Sequence, residues 1–303
     1  MELSTAACLI ELNRDFYTRF GDSFSATRHR IQPGVRRVLE MLNGDESILD
    51  LGCGNGELAR ELAKRGHCGP YLGVDFSLPL LQEADSQPKG VAVAPWRHFS
   101  ARFLQADLTS STWVDVSARS YWSSSSKQSS EEGIETKATK QSSTREEIAH
   151  LHCTERSAGQ VSSGYRLPRN HMFDFVFCFA TLHHIPSREL RLNILQSIRN
   201  VLKGDGLFVL SNWQFLNSEK LKARIQPWEA AAISEVDVDA GDYLLDWRSG
   251  GEGLRYVHHF TEEELNELAK ASGFHISDTF YSDGKERNLG LYQVWRPISD
   301  KNM

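Results

Sequence analysis

Apolar positions in the first fifth of the chain recur at three- and four-residue spacing. Leu9, Leu12, Phe16 and Phe20 predict an amphipathic helix over residues 4–20, followed by a polar stretch over 21–30. Pro33 suits the first turn of a second helix, with Val35, Val38, Leu39 and Leu42 on one face. From residue 47 the pattern changes. Ser47-Ile-Leu-Asp-Leu51 is a short apolar run ending in glycines, as expected of a strand covered on both faces. Residues 71–75, 102–107, 173–179 and 206–210 repeat that signature. Helical periodicity lies between them at 57–65, 78–83 and 188–202, the last with Leu192, Leu195, Ile198 and Leu202 inward. Thr261-Glu-Glu-Glu264 is a capping box that opens a late helix. Residues 274–281 and 289–295 read as two final strands, with hairpin chemistry in Ser282-Asp-Gly-Lys285. Regular alternation of strand and helix predicts an α/β, Rossmann-like, doubly wound fold. Its expected sheet has seven mostly parallel strands and an antiparallel end. Residues 1–45 form an expected N-terminal helical cover and 46–303 the main domain.

One segment breaks this rhythm. Residues 111–170 are rich in Ser, Lys, Glu and Gln, as in Ser123-Ser-Ser-Ser126, and show almost no periodicity. A long disordered insertion between the third and fourth strands is expected there. The 303 residues suit one large α/β domain, and 40% apolar content is enough for a sizeable core. A net charge of −6 argues against a strongly basic nucleic-acid binder but leaves room for a local basic cluster, for which Arg19, Arg28, Arg30, Arg36 and Arg37 are candidates. The five cysteines form no C-x-x-C pair and no zinc-spaced cluster with histidine, so no metal site is expected. They read as free thiols of a reducing compartment. The N-terminus has no apolar signal region and no run of 18 apolar residues occurs, so no membrane partner is expected. The expected location is the cytoplasm, with the nucleus as a second possibility.

The densest chemistry lies in Asp50-Leu-Gly-Cys-Gly-Asn-Gly56, between a strand and a helix. Gly52, Gly54 and Gly56 permit a tight turn and close approach of backbone to ligand. Asp75 ends the second strand, where a carboxylate can accept hydrogen bonds from ribose hydroxyls. The run Gly54-Asn-Gly56-Glu-Leu-Ala59 also fits the dinucleotide pattern, so a nicotinamide enzyme is one reading. Asp50 opposes it: two residues before the first glycine, it would repel a pyrophosphate and attract an ammonium. Asp107, which ends the third strand, is placed to accept from an adenine amine.

Taken in order, Asp50-x-Gly-x-Gly-x-Gly56, Gly73-Val-Asp75, Gln105-Ala-Asp107, Phe173-Asp-Phe-Val-Phe177 and Leu202-Lys-Gly-Asp-Gly206 resemble the successive motifs of class I S-adenosylmethionine-dependent methyltransferases. The resemblance implies S-adenosyl-L-methionine as cofactor, with its methionine part at Gly52, Gly54 and Gly56, its ribose at Asp75 and its adenine at Asp107. Leu108 and His183 complete the implied cofactor set.

The flanking runs narrow the resemblance. Phe24-Ser-Ala-Thr-Arg28, Ala180-Thr-Leu-His-His-Ile185, Gly241-Asp-Tyr-Leu-Leu-Asp-Trp247 and Leu254-Arg-Tyr-Val-His-His-Phe260 resemble the tRNA wobble-uridine carboxymethyl methyltransferases, which esterify 5-carboxymethyluridine. That implies tRNA as substrate and a small zinc-binding activator protein as partner. A carboxylate is already ionised at neutral pH and needs no strong base, so the site's task is positioning. Arg255 is the candidate clamp for one carboxylate oxygen. His258 is a candidate second donor, Trp247 a stacking platform for a splayed base and Asp246 an orienter of Arg255 or reader of a uracil edge. Arg28 is a candidate cap. Each has a plainer alternative: Arg255 pairing with surface carboxylates, His258 as an ordinary hydrogen-bonding residue, Trp247 as core. Two further readings stay open, a small-molecule O- or C-methyltransferase and an inactive binding module on the same fold.

Overall fold

The computed structural model describes residues 1–25, 30–86, 99–110, 113–114 and 172–298, apart from the side chains of 22 and 24. Five parallel strands form the centre: β1 (Ile48–Leu51), β2 (Pro70–Asp75), β3 (Ser100–Gln105), β4 (Phe173–Phe179) and β5 (Leu202–Trp213). With β9 (Phe274–Ser282) and β10 (Gly290–Pro297) they make a seven-stranded sheet of order β3-β2-β1-β4-β5-β10-β9. Strand β10 runs antiparallel to both neighbours. The expected sheet and its antiparallel end are therefore observed. Strand order reverses between β1 and β4, and that switch point opens a crevice at the carboxyl ends of the strands.

The short apolar runs are explained by the two faces they serve. Leu49, Leu51, Val74, Phe208 and Leu210 pack on one side with α5 (Arg188–Val201) and α7 (Glu262–Ala271). Ile48, Phe177 and Val209 pack on the other with α2 (Pro33–Leu39) and α3 (Glu57–Lys64). Helix α4 (Leu78–Asp85) follows β2. In α5 the buried stripe includes Arg191 and Ile194 rather than Leu192, because a polar network recruits the arginine inward.

Three expectations need correction. Helix α1 spans Leu3–Ser25 and so continues through part of the stretch read as polar, since it has a surface to lie on. That surface is a second, three-stranded sheet of β6 (Ile225–Gln226), β7 (Asp242–Trp247) and β8 (Gly253–His258), which follows the short α6 (Glu219–Lys222). Asn13 of α1 bonds the edge of β8 like a neighbouring strand. Its Oδ1 accepts from Tyr256 N at 2.8 Å, and its Nδ2 donates to Tyr256 O at 3.1 Å. Third, the segment expected to be disordered over 111–170 contains a packed residue near its start: Trp113 is 1% exposed within the main core. Beyond Trp113 and Val114, that expected insertion lies outside the described residues. Among the described residues, no helix is long and apolar enough to cross a membrane.

Candidate active site

A cavity of about 570 Å³ opens at the switch point, lined by the β1–α3 loop, the ends of β2, β4 and β5, α1 and the turn before β10. The glycine loop is its floor. Gly52, Gly54 and Gly56 all hold left-handed φ, between +55° and +78°. A Cβ on Gly52 would lie 2.1 Å from Thr181 Oγ1, so this glycine lets β4 close against the loop. Among the described residues, a Cβ on Gly54 would meet nothing within 4 Å and would project into open space beside the cavity that Gly54 lines. Gly54 is thus where backbone is kept bare for a ligand. Gly56 is the N-cap of α3.

Two buried carboxylates flank the loop. Asp75 accepts from Gly54 N through Oδ2 and from Ser77 N through Oδ1, each at 2.9 Å. Each oxygen keeps a lone pair for a further donor, as a ribose diol requires. Burial raises the Asp75 pKa, against the lowering effect of those backbone N–H groups. Asp50 accepts from the Tyr71 hydroxyl at 2.5 Å. Its pKa is pushed up to about 7, chiefly by burial and further by the nearby Asp75 charge, with Tyr71 opposing. A cation bound here would relieve the cost of ionising two carboxylates in one desolvated pocket. The positive charge and ribose hydroxyls of S-adenosylmethionine fit this pair of acceptors. Burial also drives the Cys53 thiol well up, so this loop cysteine is no nucleophile.

Asp107 and Leu108 line the cavity at the β3 side. The oxygens of Asp107 are shared: Oδ2 accepts from Arg14 at 2.5 Å, and Oδ1 from Thr109 N at 2.8 Å and Thr109 Oγ1 at 2.7 Å. Arg14 thereby ties the middle of α1 across the opening. The end of α1 is held too, because Ser25 Oγ donates to Glu83 and accepts from Asn55 of the glycine loop.

The opposite wall carries the expected clamp. Arg255 is 4% exposed and lines the cavity. Its guanidinium carbon lies 4.8 Å from the ring centre of Trp213, 5.6 Å from Phe16 and 5.7 Å from Trp247. Aromatic faces attract a guanidinium and hold it in place. The neighbouring histidines are both engaged. His183 Nδ1 accepts from Trp213 N at 3.4 Å and the ring lines the cavity. His184 Nδ1 faces the Tyr256 carbonyl at 3.2 Å, and its Nε2 faces the Tyr17 hydroxyl at 2.9 Å. Because a carbonyl only accepts, Nδ1 carries the proton and the Tyr17 hydroxyl donates to Nε2.

The other predicted side chains do different work. His258 is 1% exposed and bridges two carboxylates, with Nδ1 at 2.6 Å from Asp242 Oδ1 and Nε2 at 2.8 Å from Glu264 Oε2. Arg191 and the Tyr256 hydroxyl complete this buried cluster. With both ring nitrogens so occupied, His258 is a scaffold residue and not a substrate donor. The same contacts leave the capping box half closed: Thr261 Oγ1 accepts from Glu264 N, but the Glu264 carboxylate turns to His258. Asp246 does not orient Arg255. Register pairs Arg255 with Leu245, and alternation along β7 sends Asp246 to the other face, where it binds Arg248. Trp247 is 8% exposed, donates Nε1 to the Ser249 carbonyl and meets Phe16 edge-on, so it is a wall of the arginine box rather than a free stacking platform. Arg28 lies outside the described residues.

Sequence reading missed Arg14, Tyr17, Asn212 and Trp213. Arg14 and Tyr17 sit on a helix read as cover only, although their spacing of three residues places them on one face. Asn212 and Trp213 lie just beyond the apolar run at 206–210, and the expectation that ligands gather at carboxyl ends of strands was the available signal.

Comparison with known proteins agrees with this geometry. A methyltransferase-domain family model matches residues 24–278. A protein of Encephalitozoon cuniculi that carries a methyltransferase name is 27% identical over 265 residues, covering 87% of each chain. The 2-phytyl-1,4-naphtoquinone methyltransferase of Trichormus variabilis is 36% identical over 85 residues, 28% of this chain and 36% of that protein. Among solved structures, an S-adenosylmethionine-dependent methyltransferase of Methanosarcina mazei shares the fold at a TM-score of 0.56 and 19% identity, covering 89% of this chain and 99% of that one. The 1,6-didemethyltoxoflavin-N1-methyltransferase of Burkholderia thailandensis, solved with 1,6-didemethyltoxoflavin and S-adenosylhomocysteine, aligns at 0.50 and 17% identity over 98% of this chain and 90% of that one. The chain therefore belongs to the methyltransferase-domain family and has the fold of the class I S-adenosylmethionine-dependent enzymes.

Proposed function

We propose that this methyltransferase esterifies a carboxylate, and that its substrate is 5-carboxymethyluridine at the wobble position of tRNA. The observation that carries the carboxylate reading is Arg255: a guanidinium in a box of three aromatic rings, lining the cavity opposite the glycine loop. Held by Gly54, Asp50 and Asp75, S-adenosylmethionine would supply an electrophilic methyl group. Arg255 would hold one carboxylate oxygen and leave the other free to react. Ionised at neutral pH, the nucleophile needs no base, which agrees with His183 and His184 already having hydrogen-bond partners. The uridine and tRNA part rests on the runs at 180–185, 241–247 and 254–260 and their likeness to the wobble-uridine enzymes. Arg30, which lines the cavity, is a cation at hand for RNA phosphate.

A second reading is a small-molecule acceptor. It is favoured by the names of the relatives that act on a naphthoquinone and on toxoflavin precursors, and by the roof that α1 makes over the cavity.

The test is transfer of labelled methyl from S-adenosylmethionine to tRNA from cells lacking the wobble methyltransferase, with and without a small zinc-binding activator protein. Labelled 5-methoxycarbonylmethyluridine on nucleoside analysis supports the proposal. Transfer to small carboxylic acids and none to tRNA in either condition overturns its tRNA part.

A further inference from the structure

Asn212 stands near the end of β5, lines the cavity and is 1% exposed. Neither its Oδ1 nor its Nδ2 has a hydrogen-bond partner among the described residues. A buried primary amide with donor and acceptor both unmet is costly, and proteins keep such groups where something else meets them. It shares that cavity with Arg255, whose guanidinium lies over the ring of the next residue, Trp213.

We infer that Asn212 is a specificity-determining residue that pairs with the imide edge of a pyrimidine-2,4-dione. This rests on the carboxylate reading above and adds to it the ring that bears the carboxylate. A primary amide presents a donor and an acceptor side by side. The imide edge of uracil presents the complement, a ring N–H beside a carbonyl, and the two form a pair of hydrogen bonds in one plane. Arg255 recognises the charge and Asn212 the ring. The role expected of Asp246, reading a uracil edge, thus passes to a residue on the seven-stranded sheet, since Asp246 does not line the cavity. A site built around buried polar groups rejects an analogue that cannot pair with them far more strongly than an apolar pocket rejects a change of size.

The experiment is calorimetric titration of the full chain, saturated with S-adenosylhomocysteine, with 5-carboxymethyluracil and with phenylacetate. The two share the ring-bound carboxymethyl group and differ in the imide edge. Wild type is expected to prefer the uracil by about tenfold or more. Asn212→Ala should abolish that preference while binding S-adenosylhomocysteine as before, and Arg255→Ala should lose both acids. If Asn212→Ala fails to fold, Asn212→Asp, nearly the same shape but without the donor, takes its place. Equal affinity of wild type for the two acids, or a preference that survives at Asn212→Ala, overturns this inference and leaves the carboxylate reading standing. Failure of wild type to bind either acid overturns both. Weaker S-adenosylhomocysteine binding with the preference intact would assign Asn212 to the cofactor and overturn the inference as well.

Discussion

The hydroxyl of Tyr17 on α1 lies 2.9 Å from Nε2 of His184, just beyond the end of β4, and joins the N-terminal helix to the cavity it roofs. This bond is local in space and 167 residues long in sequence. Tyr17→Phe removes only the hydroxyl and with it the bond to His184. The variant should lose about 1 kcal/mol, or about 2–4 °C in melting temperature. It should also release cofactor several-fold faster in a stopped-flow chase, because a less firmly held roof opens more often. Unchanged release with a lowered melting temperature would make the bond purely structural.

Arg255→Ala should reduce kcat/KM by about 100-fold or more with the affinity for S-adenosylmethionine unchanged, since the guanidinium is on the acceptor side. Arg255→Lys keeps the charge but loses the planar fork that fits a carboxylate and stacks on Trp213, so it should recover only part of the activity. Loss of cofactor binding in either variant would place Arg255 in the wrong half of the site.

His258→Ala should act on stability. It leaves the buried carboxylate of Asp242 and that of Glu264 without the ring between them, and breaking a buried ionic cluster costs about 3–5 kcal/mol. Urea unfolding is the direct measurement. A fully stable variant that has lost activity would return His258 to the substrate-binding group.

Cofactor affinity should depend on pH through Asp50. Its folded pKa is about 7, against 3.8 for the free side chain. Between those values the folded protein holds a proton that the unfolded chain has released, so this group's contribution to stability falls as pH rises across that window. A cationic ligand favours the ionised form. Affinity for S-adenosylmethionine should therefore rise from pH 6 to about 8 and then level off. Asp50→Asn should flatten the profile, bind more weakly above pH 7 and unfold at higher urea than wild type at pH 8. A pH-independent wild-type affinity would mean that Asp50 does not sense the ligand's charge.

What the sequence determined by itself is local. Strands with both faces covered must be short apolar runs, and Leu49, Leu51, Val176 and Leu210 announce that without any neighbour in view. The glycine loop and Asp75 are legible for the same reason: a turn, a helix N-terminus and a strand end carry their geometry within a few residues. The acceptor side was decided by tertiary structure. Arg255 and His258 lie three residues apart in one strand, yet one enters a ring of aromatics at the cavity and the other is closed between Asp242 and Glu264. Strand alternation put Arg255 and His258 on opposite faces, but no periodicity says which face meets the cavity and which meets the buried carboxylates. Asp246 was misread as an orienter because sequence proximity to Arg255 hid the register that turns it toward Arg248. Tyr17, Asn212 and Trp213 reach the site only because β5, α1 and the second sheet converge there. A buried polar side chain draws its meaning from partners tens to hundreds of residues away, and only the folded chain brings those partners within hydrogen-bonding distance.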